Sequence, residues 1–559
     1  MLGLTFLLLM AGSSPGADFQ VLRVLYTSDL HSRTLSSVDF AAPGLPRRSL
    51  GGWAGLARLV DSVRTDATLL VDCGDFAFGS PEADSEQGRT SIRFMNQLHY
   101  DAAVPGARDF MGGAENLEVM ARAAGFPILA DPMLDVVLRR QVPLFRPYIV
   151  KSLKGIKVAV IGITDPDAPI LNRAEDTRGL AVDPPLEQLA RYLPAVRAES
   201  AEVIVVIGHV TPETGCAIAD SFKDVNLIIC RAEPGAAENR LAGKTTTPVV
   251  SAGAYGQRLG VIDVLFHKLE RRVYQSEARV LNVEPSKPDL SAQWAWLGEL
   301  KKPAWDSTAC YSSAEILPDS AGRLNLALLV AEAARQTSGA DVAVLPFSVV
   351  DAGLKAGEVT RYELFASVPF RERLRLLVLD DTALARLVAP DSVGRATSAP
   401  AIAGADYFIA GDTDAWPQVT QVARARVRNR QPGTYRVVTT EQWLEQARVP
   451  VSGRLLADDL TDLWLKYAAE KETLAPAGAV RLYPATPGIL RMPGPGPVNI
   501  NTANAELLCT LPGIGPKTAE RIIEYRQTAG RFKSTEDILN VKGIGPKKME
   551  KLRPLITVR

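Results

Sequence analysis

The chain has 559 residues, of which 47% are hydrophobic and 23% charged, with 63 Lys+Arg balanced by 63 Asp+Glu. Domains of about 100–200 residues make this length too great for one core, and the composition excludes a disordered or fibrous chain. The balanced total names no partner, yet Gly496 to Arg559 holds eleven Lys/Arg against six Asp/Glu, so the basic excess sits in one small terminal unit.

Residues 1–17 begin with an apolar stretch of about ten residues, Leu2 to Ala11, followed by Gly-Ser-Ser-Pro-Gly-Ala. It is too short to span a bilayer and reads as a signal peptide, so export to the periplasm or the exterior is expected. Beyond it no run of about 18 apolar residues occurs, and no transmembrane span is expected in the mature chain.

Val21 to Tyr26 and Ala67 to Val71 read as buried strands, ending in Thr27-Ser-Asp-Leu-His31 and Asp72-Cys-Gly-Asp75. The apolar runs Lys157 to Ile163 and Val203 to Ile207 also end in polar residues, Thr164-Asp165 and His209, with helical segments such as Gly55 to Arg64 between strands. This alternation predicts a layered α/β domain over residues 18–285 with its ligands at strand ends. A second α/β domain is expected over 291–480, with a helix at Leu324 to Arg335 and strands at Asp341 to Leu345 and Arg373 to Leu379. Residues 481–497 are rich in Pro and Gly and read as a linker to a small all-α domain over 498–559. Five cysteines, Cys73, Cys216, Cys230, Cys310 and Cys509, show no Cys-x-x-Cys spacing, so neither a zinc ribbon nor a thioredoxin-like site is indicated.

The last domain contains an internal repeat, Leu511-Pro-Gly-Ile-Gly-Pro-Lys517 and Val541-Lys-Gly-Ile-Gly-Pro-Lys547. Glycine permits the turn and proline starts the next helix, so backbone N–H groups face outward at a helix N-terminus where phosphate binds. Residues 498–558 resemble the tandem helix-hairpin-helix domain of ComEA-type competence DNA receptors. The resemblance is carried by Val498-Asn-Ile-Asn-Thr-Ala503, Gly530-Arg-Phe532 and the two turns. It implies sequence-independent DNA binding through Gly513, Ile514, Gly515, Lys517, Gly543, Ile544, Gly545, Lys547 and Lys548. The bland alternative makes the hairpins a packing or protein-docking module.

In the first domain, Asp29 and His31 at one strand end and Asp75 at another offer the oxygen and nitrogen ligands of a metal-dependent phosphoesterase. Together with Tyr100-Asp-Ala-Ala-Val-Pro-Gly106, Gly155 to Gly162, Gly208-His209 and Ala252 to Gly260, these motifs resemble the secreted 5'-nucleotidase family of calcineurin-like metallophosphoesterases. The family's Gly-Asn-His-Glu-Phe motif is here Gly106-Ala-Arg-Asp-Phe110, and its Gly-His-x-His is Cys230-Arg-Ala-Glu-Pro234. Ala107 cannot bind metal, and Arg108 replaces the catalytic imidazole. Of the family's ligands only Asp29, His31, Asp75 and His209 remain. His99 and His267, the only other histidines, are assigned to structure.

The resemblance thus implies at most one divalent ion, manganese, zinc or similar, or none. In a metal-free site Arg108 and Arg231 would supply charge to Asp75. Residues 310–470 more faintly resemble the family's substrate domain, but its phosphate-gripping loop reads Pro346-Phe-Ser-Val-Val-Asp351, a carboxylate where a cation is expected. Trp443 is expected to serve core or surface packing rather than to stack a base. The leading expectation is an exported, catalytically eroded 5'-nucleotidase-family protein carrying a DNA-binding module. The alternative is an active phosphoesterase acting on nucleotides near DNA, with Asp29, His31, Asp75 and His209 on the metal and Arg108 stabilising developing charge.

Overall fold

The computed structural model describes residues 18–39, 47–130, 134–135, 140–141, 145–166, 168, 180–231, 239–241, 247–286, 294–300, 303–317, 325–388, 400–410, 422–427, 433–447, 449–476, 482–485, 498–501, 503, 508, 511, 514–545, 548–549, 552–553 and 556–558. The expected leader, residues 1–17, lies outside them. Among the described residues no helix is long and apolar enough to cross a membrane.

The expected strand at the start of the first domain is Phe19–Thr27, and its apolar residues bury both faces because it lies inside a sheet. Its sheet runs in the order Arg272–Asn282, Arg258–His267, Phe19–Thr27, Thr68–Asp72, Ala102–Ala103. A second sheet of six strands has Ile156–Ile163, Val203–Gly208 and Leu227–Ile229 as successive parallel neighbours. Apolar side chains of both sheets, among them Val24, Val71, Val160, Val205 and Ile229, form one buried cluster between them. Trp53–Val63, Arg89–Gln97 and Gly113–Ala123 pack on the outer face of the first sheet, and Pro185–Ala198 and Pro212–Ser221 cover the second. The result is helix, sheet, sheet, helix, the layered architecture expected from the alternating pattern.

The second lobe is built on a five-stranded sheet in the order Ala401–Ala403, Val342–Leu345, Thr434–Thr440, Leu374–Asp380, Arg454–Leu455. Helices Asn325–Ser338 and Leu460–Lys471 accompany it. Trp443 is buried there, its indole N–H donating to the Leu387 carbonyl at 2.9 Å. Both lobes belong to one compact unit, residues 1–392, 400–404 and 431–479.

The other unit comprises residues 393–399, 405–430 and 480–559. It contains a three-stranded sheet in which Ala405–Ala410 lies between Val422–Val427 and Leu482–Ala485. The start of the stretch read as a linker is therefore a paired strand, while residues 486–497 lie outside the described ones. Nearer the C-terminus, Val498–Asn499 pairs with Ile556–Thr557 and closes a core of Ile500, Leu508, Ile522, Phe532, Ile538 and Leu552.

One close contact orients the strand that leads to the metal ligands. Tyr26 lies opposite Gly260 across the antiparallel pair, and a Cβ at position 260 would come within 2.0 Å of its ring. The buried Tyr26 ring has no room to move aside. Gly260→Ala is therefore expected to lower stability by about 1–3 kcal/mol, measured by denaturant unfolding.

Candidate functional site

Four side chains from four strand ends or the loops after them converge. Asp29 and His31 follow Phe19–Thr27, Asp75 follows Thr68–Asp72, and His209 follows Val203–Gly208. Asp29, His31 and Asp75 each offer a ligand atom within 4.8 Å of one another. His209 Nε2 lies 3.3 Å from Asp75 Oδ2 and 3.9 Å from Asp29 Oδ1, and His31 Nε2 lies 3.8 Å from Asp29 Oδ1. Donors bound tetrahedrally at about 2.1 Å stand about 3.4 Å apart. The separations within Asp29, His31 and Asp75 suit a divalent metal ion, and His209 adds a second imidazole beside both carboxylates.

The backbone that delivers these groups is held in a sparsely populated conformation. Asp29, His31, Ser32 and Asp75 all have positive φ, between 44° and 57°, and non-glycine residues adopt such values only where the surroundings impose them. Asp109 is the main constraint on the Asp75 loop. Its buried carboxylate accepts hydrogen bonds from the backbone N–H groups of Asp75, Phe76, Ala77 and Gly106 at 2.8–3.0 Å. Gly106 must lack a side chain, because a Cβ there would meet Asp75 Oδ1 at 2.3 Å. Asp109 was not singled out from the sequence; its signal was an acid retained within an otherwise altered motif.

Burial opposes ionisation of Asp29 and Asp75, but His209 and His31 outweigh it and hold both carboxyls below their usual range. Burial likewise disfavours the His209 imidazolium, yet Asp75 and Asp29 push its pKa up to about 9. Burial and the Asp75 charge raise Asp109 to about 7. His209 Nδ1 lies 3.0 Å from the Cys73 carbonyl. A carbonyl can only accept, so Nδ1 carries the proton and Nε2 faces the carboxylates.

Arg108 sits beside the cluster, and its charge helps hold the Asp75 carboxyl down as expected, although its guanidinium bonds elsewhere. Its backbone N–H donates to Asp75 Oδ1 at 2.7 Å, while Nη2 donates to the Ser348 carbonyl of the second lobe at 2.5 Å. The guanidinium carbon stands 3.6 Å from the centre of the Phe370 ring, and Nη1 is 3.9 Å from Glu372. Arg231 acts on His209, opposing its protonation, rather than on Asp75. The unexpected carboxylate Asp351 has a partner that the sequence did not reveal: buried Arg33 donates to its Oδ2 at 2.5 Å, and Tyr255 OH donates to its Oδ1 at 3.0 Å.

At the altered positions, Ala107 offers only a methyl group, and Cys230 is buried in the core on the helix-covered face of the second sheet. Ala232 and Pro234 lie outside the described residues. His267 stacks edge-on against Phe19 at 4.7 Å and accepts from the Glu270 N–H, a structural role as expected.

In the helix-hairpin-helix region the two repeated turns share one geometry. Ile514 N–H donates to Leu511 O and Ile544 N–H to Val541 O, both at 3.1 Å. Gly515 caps the helix Pro516–Thr528, with Pro516 in its first turn, and Lys548 and Met549 N–H bond back to Gly545 O as Thr518 and Ala519 do to Gly515 O. Gly515 and Gly545 are exposed with open space where a Cβ would stand, and Lys517 is exposed beside the first turn. Two expected contacts change character. Ile514 and Ile544 are buried, so their side chains anchor the turns in the core and only their backbone remains for a ligand. Lys548 Nζ donates to the Gly543 carbonyl at 2.9 Å, closing its own turn. Gly543 has φ 104°, which only glycine adopts readily. Gly513 and Lys547 lie outside the described residues.

The metal-free protein has a defined pH response. His209 is raised above its ordinary value of 6.5, so the stability it contributes is complete below about pH 6.5 and is lost as the pH rises through about 9. Asp29 and Asp75 are depressed, so their contribution is present above about pH 4 and falls away in acid. Unfolding of chelator-treated protein should show both limbs, and His209→Ala should reduce the alkaline one, the remainder coming from His31, which burial lowers but Asp351 and Asp29 raise overall; an unchanged alkaline limb would contradict this assignment.

Residues 496–557 match the helix-hairpin-helix motif family. The chain is 24% identical to YunD, an uncharacterized metallophosphoesterase of Bacillus subtilis (strain 168), over 367 residues, 62% of this chain and 73% of that protein. It is 29% identical to the 5'-nucleotidase of Homo sapiens over 276 residues, which are 45% of this chain and 48% of that relative, so it spans about half the relative's length. The solved 5'-nucleotidase precursor from Thermus thermophilus superposes with a TM-score of 0.72 at 19% identity, covering 84% of this chain and 100% of that one. By sequence and by fold the chain is a relative of the 5'-nucleotidases and metallophosphoesterases that carries a helix-hairpin-helix motif over residues 496–557.

Proposed function

We propose that this is an exported DNA-binding protein whose nucleotidase-like lobes hold a single divalent ion and have lost two-metal phosphoester hydrolysis. The observation that carries the reading is the clustering of Asp29, His31 and Asp75, with His209 beside both carboxylates and Ala107 where the family pattern has a further ligand. When bound, such an ion acts as a Lewis acid toward an oxygen ligand. Asp75 Oδ2 faces His209, while Oδ1 already accepts the Arg108 N–H.

The second lobe supports the same conclusion. Arg33 is engaged by Asp351 and the Ala366 carbonyl, and Arg108 by Ser348 and Phe370. Asp351 and Glu372 bring negative charge to the face from which a phosphate dianion would approach. Phosphate release from 5'-AMP and from a generic phosphodiester, measured with excess manganese or zinc, should not exceed that of Asp75→Asn. Metal-dependent turnover abolished in that variant would replace this reading with an active phosphoesterase.

The DNA-binding half of the reading rests on the paired exposed turns and the local basic excess. Outward N–H groups at a helix N-terminus and Lys517 suit a phosphate backbone and read no bases. Affinity for duplex DNA should fall steeply with salt and vary little with sequence. Lys517→Ala should weaken binding on all sequences and lower the salt slope by about one. Retained sequence-selective binding at high salt would contradict this, and absence of binding would move the hairpins to protein docking.

A further inference from the structure

The two imidazoles of the donor cluster differ in what stands behind them. His209 has the Cys73 carbonyl 3.0 Å from Nδ1, within its own lobe. His31 turns Nε2 toward Asp29 and Nδ1 toward the second lobe, where Asp351 Oδ2 lies 3.5 Å away. His31 Nδ1 is buried and makes no hydrogen bond among the described residues, and a buried polar atom of this kind needs a partner. The ring is flanked by Tyr255 and Phe370, with centroids at 5.5 and 5.9 Å. Asp351 is itself fixed by Arg33 Nη2 and Tyr255 OH, and by its own N–H, which donates to Ser367 O at 2.9 Å.

Metal-binding histidines generally donate their second ring N–H to a carboxylate or carbonyl, which sets the tautomer and makes the ligating nitrogen more basic. Asp351 is the acceptor within reach of His31. We propose that Asp351 is a positioning residue that orients His31 for metal binding, so that the second lobe completes the metal site of the first. The proposal rests on the reading of Asp29, His31, Asp75 and His209 as a metal centre. With an ion held at Nε2, His31 Nδ1 would carry the proton and Asp351 Oδ2 would be its acceptor. By linkage the ion then strengthens the contact between lobes by the same factor that the contact strengthens the ion.

The test is calorimetric titration of the full metal-free chain with zinc alone, comparing wild type, Asp351→Asn and Arg47→Ala. Arg47 also joins the lobes, through a two-pronged contact with Glu315 at 2.6 and 2.9 Å, and so controls for general loosening. Asp351→Asn should weaken zinc binding about 10–100-fold, whereas Arg47→Ala should stay within about fivefold, the scale of a partly exposed pair. The ¹⁵N resonances of His31 in the zinc-loaded chain should report a protonated Nδ1 that shifts in Asp351→Asn. If Asp351→Asn does not fold, Tyr255→Phe, which removes only the hydroxyl holding Asp351, should weaken zinc by about tenfold, more than Arg47→Ala does. Equal affinity in wild type and Asp351→Asn, or an equal loss in Arg47→Ala, overturns the proposal. A wild type that binds no zinc instead sinks the metal-centre reading beneath it.

Discussion

Two carboxylates, Asp29 and Asp75, are buried a few ångströms apart, and much of the surrounding structure serves to make that tolerable. A buried unpaired carboxylate is strongly disfavoured, and two neighbours repel each other as well. Their compensation comes in layers. His31 and His209 face them directly, the Arg108 N–H and the Ser28 hydroxyl bond to their oxygens, and Asp109 holds the loop that carries Asp75. Without an ion, the imidazoles supply the positive charge by binding protons. With one, they bind it instead, and a proton is released.

The alterations around this cluster are mutually consistent. On the family pattern positions 107, 232 and 234 carry no metal-binding side chain, and Arg108 reaches the second lobe while its charge still acts on Asp75. Asp351 appears where an anion would otherwise be gripped, and Arg33 balances it inside the same lobe contact. Arg33 and Asp351 would each be a buried charge without the other. The hairpin unit follows a separate logic, with buried isoleucines holding two glycine turns so that their backbone faces outward.

Much of this was legible in the sequence. Strand-terminal polar clusters such as Asp29 to His31 and Asp72 to Asp75 announce themselves because a buried strand is apolar until the chain emerges. The helix at Asn325–Ser338 and the strand at Val342–Leu345 fall close to the expected ones, since period and burial agree there. What stayed hidden were interactions between residues far apart in sequence. Arg33 and Asp351, 318 residues apart, carry no mutual signal in either motif. The direction of Arg108 was equally unreadable, because a side chain chooses among acceptors that only the fold brings together. Leu482–Ala485 was hidden by its proline, which suits an edge strand as well as a linker.

The central claim is that the four retained ligands form a single-ion centre rather than a remnant of two. Metal content per chain after saturation with zinc and exhaustive dialysis, measured by elemental analysis on wild type and Asp75→Asn, tests it most directly. One equivalent in wild type and markedly less in the variant is the predicted result. Two equivalents in wild type, or the same content in both proteins, would contradict it.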